Sequence, residues 1–236
     1  MKYILLSLLP NCLLLANPAH AQLGLRAGGN VLGYPTKTAA DGTRSSATNP
    51  LGYQAGVFYQ VALTKHLSLV PEVQFSREHA HVSLERYSPE LTWQGTYAIL
   101  QTTHGDYQLH LSYVSMPVLL RYTLGPVYLE AGPQASVLVG GQGQGQVTYL
   151  IGGDAFSGHE IKQAATDRFH RVDAGACLGV GVALPAGLGL SIRAYQGVVN
   201  LDQDPTSQDH VIPYVSNKRY RQTLQASLTY QLIASR

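Results

Sequence analysis

Residues His110 and Ser112 are a pair in this sequence whose types could perform catalysis. One residue separates them, so in an extended strand both side chains lie on the same face. A serine beside an imidazole base is the arrangement that nucleophilic catalysis uses. If the strand belonged to a membrane-spanning protein, such a pair would suit a lipid-modifying enzyme. No carboxylate is clearly placed to orient the imidazole, and this spacing often arises by chance. We therefore predict no catalytic residues and a protein that is not an enzyme, with the lipid-modifying enzyme kept as an alternative.

A second group, Glu78, His79 and His81, has residue types that bind metal ions. Histidine and carboxylate side chains are common zinc ligands. Two histidines in a polar connection are more often simply solvated. Cys177 is the one cysteine outside residues 1–21, so no cysteine cluster and no intramolecular disulfide is expected. We predict no bound metal and no cofactor.

Seven other charged residues share a different property, since each stands on the polar face of an alternating segment. They are Arg26, Glu72, Arg121, Glu130, Asp173, Arg193 and Arg221. If these faces line the interior of an eight-stranded barrel, the side chains share a space only wide enough to be filled by side chains. Opposite charges should pair there, because an unpaired buried charge is very costly. We predict a lumen plugged by ion pairs, and the alternative is a narrow porin-like channel.

Residues 1–21 have the features of a secretory signal peptide. Lys2 precedes an apolar stretch, and Ala19 and Ala21 form a small-x-small cleavage signal before Gln22. Pro10 interrupts a stretch already shorter than the roughly 20 residues that a membrane anchor needs. The sequence therefore predicts an exported protein whose single domain is residues 22–236.

Composition narrows the class of protein further. Removing Lys2 with the signal peptide lowers the net charge from +2 to +1. Because basic and acidic residues are then nearly equal in number, nucleic acid is not expected to be a partner. Charged residues make up 13% of the chain, about half the roughly 25% of soluble domains. Residues 22–236 contain no run of 18 apolar residues, which excludes a helical membrane protein. A closed barrel is the other structure that can span a membrane.

Period-two alternation of apolar and polar residues recurs in eight segments. They are residues 22–32, 51–63, 67–76, 113–122, 127–139, 170–184, 188–195 and 220–232. Their connections alternate between long and short, with short turns at residues 64–66, 123–126 and 185–187. This pattern is typical of a transmembrane barrel with short periplasmic turns and long extracellular loops. We predict an all-β, eight-stranded antiparallel up-and-down transmembrane β-barrel with both termini in the periplasm of a Gram-negative bacterium.

Several details of the strands are expected to deviate from regular alternation. Pro71, Pro117 and Pro133 fall inside predicted strands, and because a proline cannot donate to the ladder we expect bulges or strand ends there. Residues 77–108 are predicted to be a long connection, although 96–101 could form extra strand. The run GGQGQGQV, residues 140–147, is interpreted as a flexible loop; as a strand it would keep its glutamines in phase with Gln134 and Ser136.

The apolar faces are predicted to contact lipid. Their polar counterparts consist of Gly, Ser, Gln and isolated charges, whereas a water-facing exterior would be dense in Lys and Glu. Aromatic residues of the apolar faces stand near strand ends, where they suit the membrane interfaces. They are Tyr53, Phe75, Tyr122, Tyr220 and Tyr230. Outer-membrane lipid, lipopolysaccharide and the barrel-assembly machinery are therefore the expected partners.

Long loops on a rigid barrel are suited to recognition. The second long loop is the predicted connection at residues 77–108. Its candidates for contact with an extracellular ligand of unknown identity are Tyr87, Trp93 and Tyr97. Interfacial anchoring would explain the same aromatic residues nearly as well. A structural or surface-recognition component, an accessory to secretion and a channel all stay open at this point.

Five segments together resemble a known family. They are LSLVPEVQFS (67–76), YVSMPVLLRY (113–122), VYLEAGPQASVLV (127–139), DAGACLGVGVAL (173–184) and LQASLTYQL (224–232). They look like the outer-membrane β-barrel domain family, also labelled porin family or PorT-like, over nearly all of residues 22–236. The resemblance implies a small outer-membrane barrel and gives no catalytic residue to assign.

Overall fold

Eight long antiparallel strands form a closed ring in the computed structural model. The structure describes residues 21–33, 37–38, 44–88, 101–151, 154–164, 169–201 and 220–232. The strands of the ring are β1 (Ala21–Gly33), β4 (Gly52–Ala62), β5 (Leu67–Ser88), β6 (Gln101–Leu124), β7 (Val127–Ile151), β9 (Val172–Ala183), β10 (Leu188–Asn200) and β11 (Tyr220–Gln231). Three shorter strands are β2 (Lys37–Thr38), β3 (Arg44–Thr48) and β8 (Asp154–Ala164).

The ring closes because β1 pairs with both β4 and β11, and β5 pairs with both β4 and β6. The predicted eight-stranded antiparallel barrel is thus confirmed, together with its three short turns. Residues 63–66 join β4 to β5, residues 125–126 join β6 to β7, and a 3₁₀ turn, Pro185–Gly187, joins β9 to β10. Gly125 has a φ of +62°, a conformation that residues with a Cβ rarely adopt. We call this end of the barrel the turn side and the opposite end the loop side.

Strands β5, β6 and β7 continue on the loop side far beyond the ring. With β2, β3 and β8 they form a projecting sheet in the order β2-β3-β5-β6-β7-β8. The prediction of a long loop over residues 77–108 is wrong for 77–88 and 101–108, which are strand, and residues 96–100 lie outside the described residues. The prediction of a flexible loop at residues 140–147 is also wrong. Pairing with β6 and β8 satisfies the backbone of this glycine-rich segment.

A β-bulge in β7 reverses which residues of this strand point outward. Ser112 lies opposite Gly140 and Tyr113 opposite Leu138, so β7 has one extra residue at this point. Gln134 and Ser136 are buried inside the barrel, whereas Gln142 and Gln144 are exposed. The expected common phase of these glutamines is therefore wrong, because one inserted residue moves all later side chains to the other face.

The expectation of bulges or strand ends at Pro71, Pro117 and Pro133 is also wrong. The three prolines lie inside β5, β6 and β7, and the register is unchanged on either side of each. A residue of an antiparallel strand directs its N–H toward one neighbouring strand only. A proline therefore removes one hydrogen bond without displacing the ladder.

The barrel has an apolar exterior and a polar interior. Every strand of the ring has large and exposed outward side chains, among them Leu25, Val57, Val73, Val118, Leu129, Leu178, Ile192 and Leu228. The five aromatic residues predicted at strand ends are also exposed, and the rings of Tyr53 and Phe75 lie 6.5 Å apart. Inward positions hold buried polar residues, including Gln54, Gln74, Ser115, Gln134, Ser136, Gln225 and Ser227. In the part of the chain that the structure describes, no helix is long and apolar enough to cross a membrane.

Candidate functional site

The turn-side half of the lumen contains a cluster of three arginines and two glutamates. Arg193 donates from Nε to Glu130 Oε2 at 2.7 Å and from Nη1 to Glu72 Oε2 at 2.8 Å. Arg121 donates to Glu130 Oε1 from Nη2 at 2.6 Å and from Nε at 2.9 Å. Arg26 Nε lies 3.2 Å from Glu72 Oε1. All five side chains come from different strands, so the turn-side cluster joins β1, β5, β6, β7 and β10 across the lumen.

Neutral side chains provide further hydrogen-bond partners for two of the turn-side arginines, Arg26 and Arg121. Arg26 Nη1 donates to Ser191 Oγ at 2.9 Å, and Arg121 Nη1 donates to Gln60 Oε1 at 2.7 Å. The Arg121 guanidinium also lies 4.1 Å from the centre of the Tyr128 ring. Such additional partners matter because Coulomb attraction alone often fails to offset the desolvation of a buried ion pair.

The loop-side half of the lumen contains a smaller cluster around Arg221. Its guanidinium pairs with Glu78 through two hydrogen bonds, one of which joins Nε and Oε2 at 3.0 Å. Nη1 lies 3.5 Å from Asp173 Oδ2 and donates to Ser136 Oγ at 3.0 Å. Tyr195 donates its hydroxyl proton to Asp173 Oδ2 at 2.7 Å. Arg221 is thus the cation shared by two carboxylates in the loop-side cluster.

Together the two clusters contain four arginines and four carboxylates, so their formal charges balance. We call these eight side chains the charge network; each is at most 4% exposed. The turn-side cluster carries one excess positive charge and the loop-side cluster one excess negative charge. Seven of the eight are the residues that the sequence places on polar faces, and the structure brings them together inside the barrel.

Glu78 is the member of the charge network that sequence reasoning missed. The alternating pattern predicts that the third strand ends at residue 76, which leaves Glu78 in a polar connection with His79 and His81. The signal was present, since the even-numbered inward positions of β5 continue through Ser76 and Glu78 to Ala80. With Glu78 buried against Arg221 and both histidines on the opposite face of β5, these three residues do not converge on one metal ion. Among the residues that the structure describes, no group of three or more His, Cys, Asp and Glu side chains could hold one.

Apolar and aromatic side chains surround the charge network. The larger group lies toward the loop side and consists of Leu32, Ala80, Val82, Tyr107, Leu109, Leu111, Tyr113, Leu138, Phe169 and Leu201. A second group of buried residues consists of Phe58, Val70, Leu119, Cys177 and Tyr195. Arg221 lies 3.9 Å from the centre of the Tyr113 ring, within the range of a cation–π contact. The ion pairs therefore lie in surroundings from which much of the water is displaced.

The candidate catalytic pair lies on the outer wall of β6. His110 and Ser112 point outward, opposite His79 and Arg77 of β5. The His110 Nδ1 atom is buried and has no hydrogen-bond partner among the described residues, so no carboxylate there orients its ring.

One of the three recognition candidates, Tyr87, is among the residues that the structure describes. Tyr87 belongs to β5, where its backbone is opposite Thr102, instead of lying in the predicted loop. Trp93 and Tyr97 lie outside the described residues.

Comparison with known proteins places this architecture among outer-membrane barrels. Residues 16–203 match a family model described as outer membrane protein beta-barrel domain. A search of curated proteins found no match.

Solved structures with a similar fold have low sequence identity to this chain. Neisserial surface protein A is 11% identical to this chain, with a TM-score of 0.40. The alignment covers 90% of this chain and 97% of the Neisserial protein. Ail of Yersinia pestis is 10% identical, with a TM-score of 0.41, and the alignment covers 90% of this chain and 99% of Ail. OprG from Pseudomonas aeruginosa is 10% identical, with a TM-score of 0.45, and the alignment covers 91% of this chain and 97% of OprG.

Proposed function

We propose, from the premise that this chain belongs to the outer membrane protein beta-barrel domain family, that it is a non-enzymatic barrel whose lumen is closed by ion pairs. Its role is structural, as a rigid scaffold that presents the projecting sheet to the cell exterior for recognition. The buried and charge-balanced network is the observation that carries this proposal. A conducting pore needs a continuous polar path with water, whereas here the central side chains pair with one another across the lumen.

Two features of the lumen support a closed barrel over a narrow channel. First, Arg193 bridges Glu72 and Glu130, which belong to strands that do not pair with each other. An ion crossing the barrel would have to break these bonds. Second, the buried apolar group on the loop side adds a layer that disfavours the passage of hydrated ions. Both features concern the whole cross-section of the barrel. An eight-stranded barrel has an interior that is narrow enough to be filled by side chains.

Planar-bilayer recording tests the closed lumen directly. We expect the purified barrel to give no steady conductance under conditions in which a wide porin, used as the positive control, conducts. The reason is that ions would have to displace paired and buried side chains. Steady channels whose conductance changes on the substitution Glu130→Gln would establish the narrow channel instead and would contradict the proposal.

Cys177 provides an independent chemical test of the lumen. Its side chain is buried within the barrel, and it is the one cysteine in residues 22–236. We expect a membrane-impermeant maleimide to leave Cys177 unlabelled in the folded barrel and to label it after unfolding, because the surrounding side chains exclude the reagent. The matched control is Lys65→Cys in a Cys177→Ser background, since Lys65 is exposed on a turn. Labelling of Cys177 as fast as that of the control would indicate an open, water-filled lumen.

Orientation and partners follow from the same proposal. Residues 1–21 direct export and are removed before Gln22, and the barrel-assembly machinery inserts residues 22–236 as one domain. The apolar exterior contacts outer-membrane lipid and lipopolysaccharide. Both termini lie in the periplasm with the turn side, in keeping with the pairing of Gly24 with Gln231. The projecting sheet then extends from the cell surface, where an extracellular ligand of unknown identity would contact it; nucleic acid is not a partner.

A further inference from the structure

The outer wall of β5 and β6 changes from apolar to basic on the loop side of the exposed aromatic residues. Along β5 the outward side chains are Val73 and Phe75, followed by Arg77 and His79. Along β6 the outward histidine His110 stands at the same height. An arginine at this position faces away from the charge network, so its role differs from that of the four lumen arginines.

Strand pairing brings four of these outward residues into one patch. Arg77 lies opposite Ser112, and His79 lies opposite His110. The two imidazole rings pack edge to face with their centres 4.7 Å apart. Arg77 is exposed, while the other three side chains are half-buried. We call Arg77, His79, His110 and Ser112 the basic patch.

We propose that the basic patch binds the phosphate of a lipid headgroup in the extracellular leaflet, as carried by lipid A. The inference rests on the proposed function, because it takes the loop side to face the cell exterior. Arg77 supplies a permanent charge and up to five N–H donors, which match the oxygens of a phosphate group. The Ser112 hydroxyl and the imidazole N–H groups supply further donors beside it.

The height of the basic patch on the barrel wall supports this ligand. The rings of Tyr53 and Phe75 suit the boundary between hydrocarbon and headgroups. Arg77 follows Phe75 by two residues, which is about 7 Å along a strand. The headgroup layer on each side of the hydrocarbon is about 5–7 Å thick. The guanidinium is therefore at the depth where lipid phosphates lie.

Neighbouring outward residues leave the positive charge of the patch available. On the adjoining strands, Tyr53 of β4 lies opposite Arg77, and Gln142 of β7 lies opposite His110; both are uncharged. The next outward residue of β5, His81, is hydrogen-bonded to Asp106 further from the membrane. Glu78, the acidic residue next in sequence, points into the lumen.

Binding of defined lipids to the folded full-chain protein in detergent tests the proposal. We expect bisphosphorylated lipid A to bind at least about tenfold more tightly than its dephosphorylated form, the effect of one or two hydrogen bonds to a charged group. The substitution Arg77→Gln should remove most of this difference. A His79→Phe/His110→Phe double variant, which removes the imidazole N–H donors, should remove a smaller part and serves as a second variant if Arg77→Gln does not fold. The matched control is Lys65→Gln, which removes an exposed cation at the turn side.

Three results would overturn the basic patch as a lipid phosphate site. They are equal affinity of wild type for the two lipids, unchanged affinity in a folded Arg77→Gln variant, and an equal loss in Lys65→Gln, which would indicate diffuse charge attraction. Displacement of lipid A by inorganic phosphate at a similar concentration would assign the patch to free phosphate instead. Heat-modifiable gel mobility of each sample separates the two proposals. A folded wild-type barrel that does not discriminate the lipids contradicts the patch alone, whereas the absence of a folded barrel contradicts the proposed function.

Discussion

The substitution Arg221→Met is expected to lower the free energy of unfolding by about 3–5 kcal/mol, the cost of leaving a buried charge without its partner. Glu78 and Asp173 both pair with Arg221, and both are buried. Methionine has a similar length but no charge, so two carboxylates would stay in the lumen without this cation. Denaturant unfolding in lipid vesicles, followed by circular dichroism, measures the change.

Arg193→Met provides the matched control for this prediction. Arg193 also binds two carboxylates, but Arg26 and Arg121 stay beside Glu72 and Glu130 when it is removed. We therefore expect a smaller loss, about 1.5–3 kcal/mol, the range for hydrogen bonds to charged groups. Adding Glu78→Gln to Arg221→Met should recover part of the larger loss, because a neutral amide needs no counter-ion. Equal losses for the two arginine substitutions would show that charge balance within each cluster does not determine stability.

The substitution Ile192→Arg is expected to destabilise the barrel in a bilayer by about 2–4 kcal/mol, as for a basic residue facing lipid at the midplane. Ile192 points outward from the middle of β10 and is 54% exposed. It makes no contribution to the charge network, so the loss would reflect the transfer of a charge into hydrocarbon. The same vesicle unfolding measurement applies.

Leu188→Arg tests the depth dependence of this effect. Leu188 points outward from the turn-side end of the same strand and lies opposite Tyr230. Near an interface the cost of the same arginine falls to about 0–1 kcal/mol. A similar cost at both positions would mean that the outward face of β10 does not lie across a bilayer, which would contradict the proposed orientation.

The lumen and the exterior thus have separate physical roles. In the proposed orientation, exterior side chains such as Ile192 contact lipid individually, so substitutions there should act according to depth. Lumen side chains such as Arg193 and Glu130 interact with each other across several strands, and their effects should depend on which partners remain. The difference makes the two sets of variants independent tests of the barrel in the membrane and of the closed lumen.

Alternation with a period of two residues determined much of the fold in advance. It is a local property of the chain, because successive side chains of a strand point to opposite faces whatever the neighbouring strands are. The eight strands, the three short turns and the seven inward charges therefore follow from the sequence. Arg121 and Glu130, for example, stand on the polar faces of two strands joined by a two-residue turn, so their proximity could be expected from the hairpin.

Composition is a weaker guide to strand length in this chain, because tertiary pairing can hold polar and glycine-rich segments as strands. The polar residues of β5 beyond Ser76 and the glycines of β7 are typical of loops, yet backbone pairing with neighbouring strands holds both segments in the projecting sheet. The bulge at Val139, between the paired residues Leu138 and Gly140, is a further example. A single inserted residue changes the outward face of β7, and it can be located only from the pairing of this strand with β6.

The sequence by itself therefore determined seven of the eight charged lumen residues and that a barrel encloses them, whereas only the tertiary structure added Glu78 and decided their partners. Arg193 meets Glu72 and Glu130, and Arg221 meets Glu78, from strands that are 63–143 residues apart in the chain. Such contacts depend on the relative heights of strands across the lumen, which the stagger of the whole ring determines. A pattern within one strand contains no information on that stagger. For the same reason the sequence does not indicate that Glu78, which lies beyond the predicted end of its strand, is a counter-ion in the charge network.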